Sequence, residues 1–281
     1  MILVTGATGN VGRELVPLLV APGHAVRIAT RDASKASMFG AGVECVVGEL
    51  GDLAIAAAAL RGATRLFLVQ NVGASASAAV LSAARAAGVG RVVFLSSIAA
   101  ESTAIGAAHR AREREIAASG LAWTALRPGA FASNALMWRE TIRAERRVYS
   151  ATGDGKTAPI APRDIARVAA HALGEAAGGE RVYELTGPEA LTVAEQVRAL
   201  SAALGVEIEH VEQSVEAEMA RLAAAGMPSR VIELLAGVWR AIRAGRALAC
   251  GQTVTAITGA AAQTFAEWCA EHREEFVPAS S

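Results

Sequence analysis

The sequence predicts an α/β protein: a Rossmann doubly wound parallel sheet with a smaller, mainly helical C-terminal lobe. Three observations carry this expectation. An apolar run, Ile2-Leu3-Val4, leads into T-G-A-T-G-N-V-G and then into a helical pattern of Val11, Leu15, Leu18 and Leu19. Short apolar runs then alternate with helical patterns over residues 1–150, as parallel βα units require. Beyond residue 150 that rhythm stops and helical patterns dominate to residue 281.

Taken in order, residues 24–30 read as the second strand and 33–39 as a short helix. Residues 43–47 read as the third strand, followed by a helix over 53–60. The run 65–70 is apolar almost throughout, as expected of a strand buried on both faces of a parallel sheet. A helix over 76–87 is closed by Gly88, and a fifth strand over 92–95 ends in Ser96-Ser97. Residues 103–119 are helical and stop at Gly120; residues 122–127 form a sixth strand ended by Pro128-Gly129. Residues 147–163 read as turn-rich, with a helix starting at Asp164 and a strand over 182–186. Thr192-x-x-Glu195 is a capping box opening a helix to about Leu204. Residues 206–212 alternate like a strand, and helices follow over 214–225, 229–244 and 264–275. The division expected is a nucleotide-binding domain over 1–150 and a dependent lobe over 151–281, some of whose segments rejoin the sheet.

Apolar residues make up 53% of the chain, enough for a sizeable core, and the formal net charge is zero. A neutral chain has no field drawing it to nucleic acid or to an anionic membrane. No apolar stretch reads as a spanning helix, and because the first residues already form a core strand we expect no signal peptide and a cytoplasmic location. Cys45, Cys250 and Cys269 are scattered, without a C-x-x-C pair, and read as reduced thiols. His171 and His210 lack ligand-spaced partners, so no metal is expected.

The strand–turn–helix at the start is a dinucleotide site, in which backbone N–H groups and a helix N-terminus hold a pyrophosphate. Its candidate contacts are Gly6, Thr8, Gly9, Asn10, Val11 and Gly12. Where an NAD site usually carries Asp or Glu, at the end of the second strand, this chain has Thr30 followed by Arg31. A neutral residue and a cation suit a 2′-phosphate, with Lys35 adding charge, so NADP(H) is expected over NAD(H). Asp32 opposes this if its carboxylate turns inward. Glu49 and Leu50 are placed to border the adenine, and Gln70, Asn71 and Ser96 end strands above the ligand crevice. Ser97 is a candidate hydroxyl donor beside the nicotinamide.

Dehydrogenases with this glycine spacing usually pair a Tyr general acid with a Lys four residues later. The only tyrosines are Tyr149 and Tyr183, followed at that spacing by Gly153 and Gly187. Alcohol–ketone chemistry by that route is therefore not expected.

In several further stretches the chain resembles the NmrA-like atypical short-chain dehydrogenase/reductases. Besides T-G-A-T-G-N-V-G these are T-R-D-A-S-K-A (30–36), A-A-R-A-A-G-V (83–89), V-V-F-L-S-S (92–97) and H-R-A-R-E (109–113). Further on come L-R-P-G-A-F (126–131) with Asn134, G-D-G-K (153–156) with Asp164, and Y-E-L-T-G (183–187). The similarity is nearest to the branch of quinone reductases and triphenylmethane reductases. It implies that His109-x-x-x-Glu113 replaces the Tyr–Lys pair, His109 donating to a developing oxyanion and Glu113 orienting it on one helix face. It also implies that Pro128, Gly129 and Phe131 lie near the nicotinamide. The candidate catalytic residues are thus His109, Ser97 and Glu113.

The expected activity is hydride transfer from NADPH to a small, flat, apolar electrophile, a quinone or a conjugated carbonyl, held near Ser97, His109 and Phe131. Such an acceptor needs little general-acid help. Two rival readings remain: a non-catalytic NADP(H) redox sensor, and a natural-product ketoreductase or isomerase using His109. Met137, Trp138 and Trp239 are candidates to line an aromatic pocket, with packing as the alternative. A monomer or homodimer is expected.

Overall fold

The computed structural model describes residues 1–69, 74–98, 104–175, 179–246 and 250–277. In chain order its strands are β1 (Ile2–Thr5), β2 (Val26–Thr30), β3 (Val43–Val47), β4 (Arg65–Val69), β5 (Arg91–Leu95), β6 (Ala122–Pro128), β7 (Arg147–Ser150), β8 (Glu180–Leu185) and β9 (Glu209–Glu212). The helices are α1 (Gly12–Val20), α2 (Leu53–Leu60), α3 (Ala74–Ala86), α4 (Ala104–Ala118), α5 (Arg139–Glu145), α6 (Pro162–Gly174), α7 (Val193–Leu204), α8 (Val215–Ala224), α9 (Ser229–Arg243), α10 (Thr253–Thr258) and α11 (Phe265–Glu271). None of the helices described is long and apolar enough to cross a membrane.

Two compact units share the chain. The first comprises Met1–Pro128, Pro162–Leu185 and Thr253–Ala260. It holds a seven-stranded sheet in the order β3-β2-β1-β4-β5-β6-β8. Every neighbouring pair in it is parallel. The order reverses at β1, where Ile2 pairs with Val26 on one side and with Arg65 on the other. The central strands are buried on both faces, with Leu3, Val4, Leu66, Phe67, Val92, Val93 and Phe94 all at 0% exposure. That explains their near-continuous apolar runs. Leu3, Leu66, Val92, Phe94 and Trp123 pack against Leu60, Leu81 and Ile116 of the helices. Helix α6 packs on α1 and also meets β4, β5 and β6. It begins at Pro162, where proline's missing N–H is not needed. The edge strand β3 is more open, and Val47 is exposed.

The second unit comprises Gly129–Ala161, Thr186–Gln252 and the chain from Ala261 onward. Its core gathers Ile142, Val148, Leu200, Ile208, Phe265, Trp268 and Phe276. Helices α7 and α11 open on capping boxes, Thr192/Glu195 and Thr264/Glu267. The sequence reading of 147–163 as turns is corrected at its start. Residues 147–150 form β7, which pairs in parallel with β9 through Arg147↔Glu209 and Ser150↔Glu212. The helix expected over 264–275 divides into α11 and a 3-10 turn, Arg273–Glu275. Helix α10 and the helical segment 132–145 were not expected from the sequence.

Candidate functional site

The glycine turn lies at the sheet's reversal point, where β1 and β4 part. Thr5 ties the two strands there: its Oγ1 donates to Phe67 O at 3.0 Å and accepts from Val69 N at 2.9 Å. Gly6 has φ of +60°, and a Cβ on it would press into Val69. Gly9 N donates to Gly6 O at 3.0 Å, closing the turn. A Cβ on Gly12 would overlap Gly6 O and the backbone of Ala7. Helix α1 begins here behind Val11, with no side-chain cap on its first N–H groups. A bare backbone and an uncapped helix start form a cradle for an anionic group.

Beside the turn is a cavity of about 290 Å³. Thr5, Gly6, Thr8, the segment from Ala29 to Asp32 with Lys35, the segment from Gly48 to Gly51, and Val69 line it. The structure thus brings together Gly6, Thr8, Arg31, Lys35, Glu49 and Leu50, six of the residues singled out from sequence. Two cations and two carboxylates of this lining form ion pairs. Arg31 Nη1 lies 3.8 Å from Glu49 Oε1, and Lys35 Nζ lies 3.8 Å from Asp32 Oδ2. Asp32 Oδ1 accepts from Ser34 Oγ at 2.6 Å and Ser34 N at 3.0 Å, capping the 3-10 helix Ala33–Phe39. Those two bonds, with Lys35 nearby, hold Asp32 below the usual carboxylate range. Thr30 Oγ1 is closed onto Asp32 N and O.

Farther along the sheet, β5 and β6 present Ser96, Ser97 and Pro128 at their C-terminal ends. Ser96 N donates to Leu126 O at 2.7 Å. Pro128 is buried and pairs with Leu185 in β8. His109, on α4, is half-buried, its ring centroid 6.0 Å from that of Phe94. Its Nδ1 is buried without a hydrogen-bond partner among the described residues. Burial lowers its pKa, opposed by the charge of Glu113.

Glu113 is 3% exposed. Its Oε1 accepts from Ser96 Oγ at 2.6 Å and Arg127 Nε at 2.9 Å. Its Oε2 accepts from Arg127 Nη2 at 2.7 Å and Arg110 Nη1 at 3.2 Å. Burial raises its pKa, but the bonds from Arg127 and Ser96 outweigh that and hold it low. This carboxylate is therefore committed to Arg127, Ser96 and Arg110. Sequence reasoning missed Arg127, whose place in L-R-P-G gives no sign that the side chain is buried.

Gln70 and Asn71 lie outside the described residues. Gly129 and Phe131 belong to the second unit, where Phe131 bridges Ile160. There Trp138 packs against the core and Trp239 against Val215 and Ala236, whereas Met137 is exposed. Tyr149 OH donates to Glu145 and Tyr183 OH to Glu175.

A family model described as NAD(P)H-binding matches residues 6–176. The chain is 40% identical to a (4-alkanoyl-5-oxo-2,5-dihydrofuran-3-yl)methyl phosphate reductase of Streptomyces griseus, over 99% of this chain and 100% of that protein. It is 34% identical to an NAD(P)H azoreductase of Xenophilus azovorans, over 98% of this chain and 99% of that protein. Among solved structures, the NADPH complex of the Escherichia coli quinone oxidoreductase QOR2 superposes with a TM-score of 0.85 at 28% identity, covering 96% of this chain and 99% of that one. With its glycine cradle at the sheet reversal and no Tyr–Lys pair, the chain belongs to the NAD(P)H-binding family of oxidoreductases, in its NmrA-like atypical short-chain dehydrogenase/reductase branch.

Proposed function

We propose that the protein is an NADPH-dependent reductase that delivers hydride to a small, electron-poor conjugated acceptor, a quinone or a conjugated carbonyl. The observation that carries this reading is the cradle of Gly6, Gly9 and Gly12 opening onto a cavity that bears Arg31 and Lys35. Bound NADPH supplies the hydride. Thr8, Asn10 and the N-terminus of α1 hold the pyrophosphate, and Leu50 borders the adenine. Arg31 and Lys35 favour the 2′-phosphate over a bare ribose. Asp32, turned onto Ser34, is drawn away from that role. Ser97 and Pro128 stand on the nicotinamide side, at strand ends that face the crevice of a doubly wound sheet. His109 donates a hydrogen bond from its neutral ring to the oxygen on which charge develops. The relatives' names support the acceptor class: one acts on an oxo-dihydrofuran bearing an alkanoyl group, another on quinones.

The test is NADPH titration by fluorescence, then cofactor oxidation against a panel of quinones, butenolides and ketones. Saturable NADPH binding with turnover on the conjugated members is the expected result. Tight binding without turnover on any of them overturns the reductase reading in favour of a sensor.

A further inference from the structure

The cavity beside the glycine turn is electrically self-paired, and its two pairs are not equivalent. Lys35 meets an Asp32 whose Oδ1 already accepts two bonds from Ser34. Arg31 and Glu49, by contrast, have only each other as charged or hydrogen-bonding side-chain partners among the described residues. Their side chains are 76% and 74% exposed, so either can swing to a ligand at little cost. They stand at neighbouring strand ends on the cavity's lining, Arg31 just past the end of β2 and Glu49 just past β3. The acid that selects NAD(H) elsewhere sits at the end of the second strand. Here that end is Thr30, with its hydroxyl closed onto Asp32, and the exposed carboxylate of Glu49 enters from the neighbouring strand.

We propose that Glu49 is the residue that sets the choice between the two dinucleotides, by withholding Arg31 from the 2′-phosphate of NADP(H) and by accepting from the 2′-hydroxyl of NAD(H). This deepens the reductase reading above and rests on it. A 2′-phosphate carries between one and two negative charges near neutral pH, so it is repelled by Glu49 and has to take Arg31 from it. A 2′-hydroxyl carries no charge, leaves the Arg31–Glu49 pair in place and donates to the carboxylate. Glu49 is thus an element of negative selection that keeps the NADPH preference of Arg31 and Lys35 narrow and admits NADH. Because the groups are exposed, the effect is modest and salt-dependent.

The experiment is a set of fluorescence titrations with NADPH and NADH on the full chain, on Glu49→Gln, on Arg31→Ala and on the double variant. Both sites are on the surface, and a thermal melt of each variant reports folding. In Glu49→Gln the NADPH Kd is expected to fall about threefold to fivefold and the NADH Kd to rise by a similar factor, the size of an exposed charge pair. The gain for NADPH shrinks when Arg31 is already alanine, leaving only the relief of direct repulsion, and it shrinks between about 0.02 M and about 0.3 M salt. Equal changes in both Kd values, no change in either, or a gain undiminished by Arg31→Ala overturns the proposal. Failure of the unmodified chain to bind either nucleotide overturns the underlying reductase reading instead.

Discussion

Glu113 and Arg127 form a two-pronged ion pair inside the first unit, Nε to Oε1 at 2.9 Å and Nη2 to Oε2 at 2.7 Å, with neither side chain more than 7% exposed. The pair joins α4 to β6, and Ser96 extends it to the end of β5. Three elements that carry candidate active-site residues are thereby locked to one carboxylate.

Removing one member of this pair strands a buried charge. Arg127→Ala or Glu113→Ala is expected to cost about 3–5 kcal/mol in urea denaturation, whereas the double apolar exchange Glu113→Leu with Arg127→Met recovers most of the loss. Because the folded protein holds the Glu113 pKa below that of the unfolded chain, its contribution is complete above the ordinary carboxylate range. It is lost as pH falls through the depressed value. The acid limb of a stability–pH curve should flatten in the double variant.

Burial lowers the pKa of His109 against the opposing charge of Glu113. The imidazole resonance should titrate below that of a free histidine, and the folded state should lose stability as pH falls below the unfolded value and through the depressed folded one. His109→Ala is expected to lower kcat toward a conjugated carbonyl about tenfold to a hundredfold while leaving the NADPH Kd within about twofold. An unchanged kcat would remove the imidazole from the chemistry.

Gly12 is required by backbone contact. Gly12→Ala forces the turn apart at Gly6 O and Ala7, so NADPH affinity should collapse by more than about tenfold, with a stability loss of about 1–3 kcal/mol. The comparison is Gly23→Ala, where φ is positive, unlike at Gly12, but no atom of the described residues lies within 4 Å of the new Cβ. That variant should lose stability through backbone strain and keep its NADPH affinity.

The thiols divide by exposure. Cys45 and Cys250 are exposed, whereas Cys269 is buried and its pKa is pushed up to about 12 by desolvation. A disulfide reagent at neutral pH should label Cys45 and Cys250 in the native protein and reach Cys269 only after denaturant is added. Rapid labelling of all of them would contradict the packing of α11.

Much of the first unit was legible because its signals are local. The glycine turn needs its neighbours in sequence, and β3 begins and ends where the apolar run 43–47 does. The Thr192 box likewise announces α7. What escaped depends on distant partners. Val148 and Tyr149 alone are too short a signal to mark a strand; β7 pairs with β9, which supplies its partners from residue 209 onward. Helix α10, T-V-T-A-I-T, is rich in β-branched residues that favour strands, and packing against α6 and β8 overrides that preference. In the site, the resemblance implied that Glu113 orients His109, and the i,i+4 spacing gave no sign of the hydrogen bonds that this carboxylate accepts from Arg127, Ser96 and Arg110.

The first unit is assembled from three separated stretches of chain, and this orders its folding. By Pro128 the nascent polypeptide has made six of the seven strands and the whole crevice around Gly6 and Arg31. Helix α6, whose Ile165, Ala166, Val168, Ala169 and Ala172 are all at 0% exposure, is not synthesised until Pro162–Gly174. For that interval the sheet lacks its α6 cover, leaving an aggregation-prone surface, and β8 must then close a long loop to reach β6. Nucleotide available during synthesis would engage the finished crevice and stabilise the half-covered intermediate by mass action, making the cofactor a folding aid before it is a reactant.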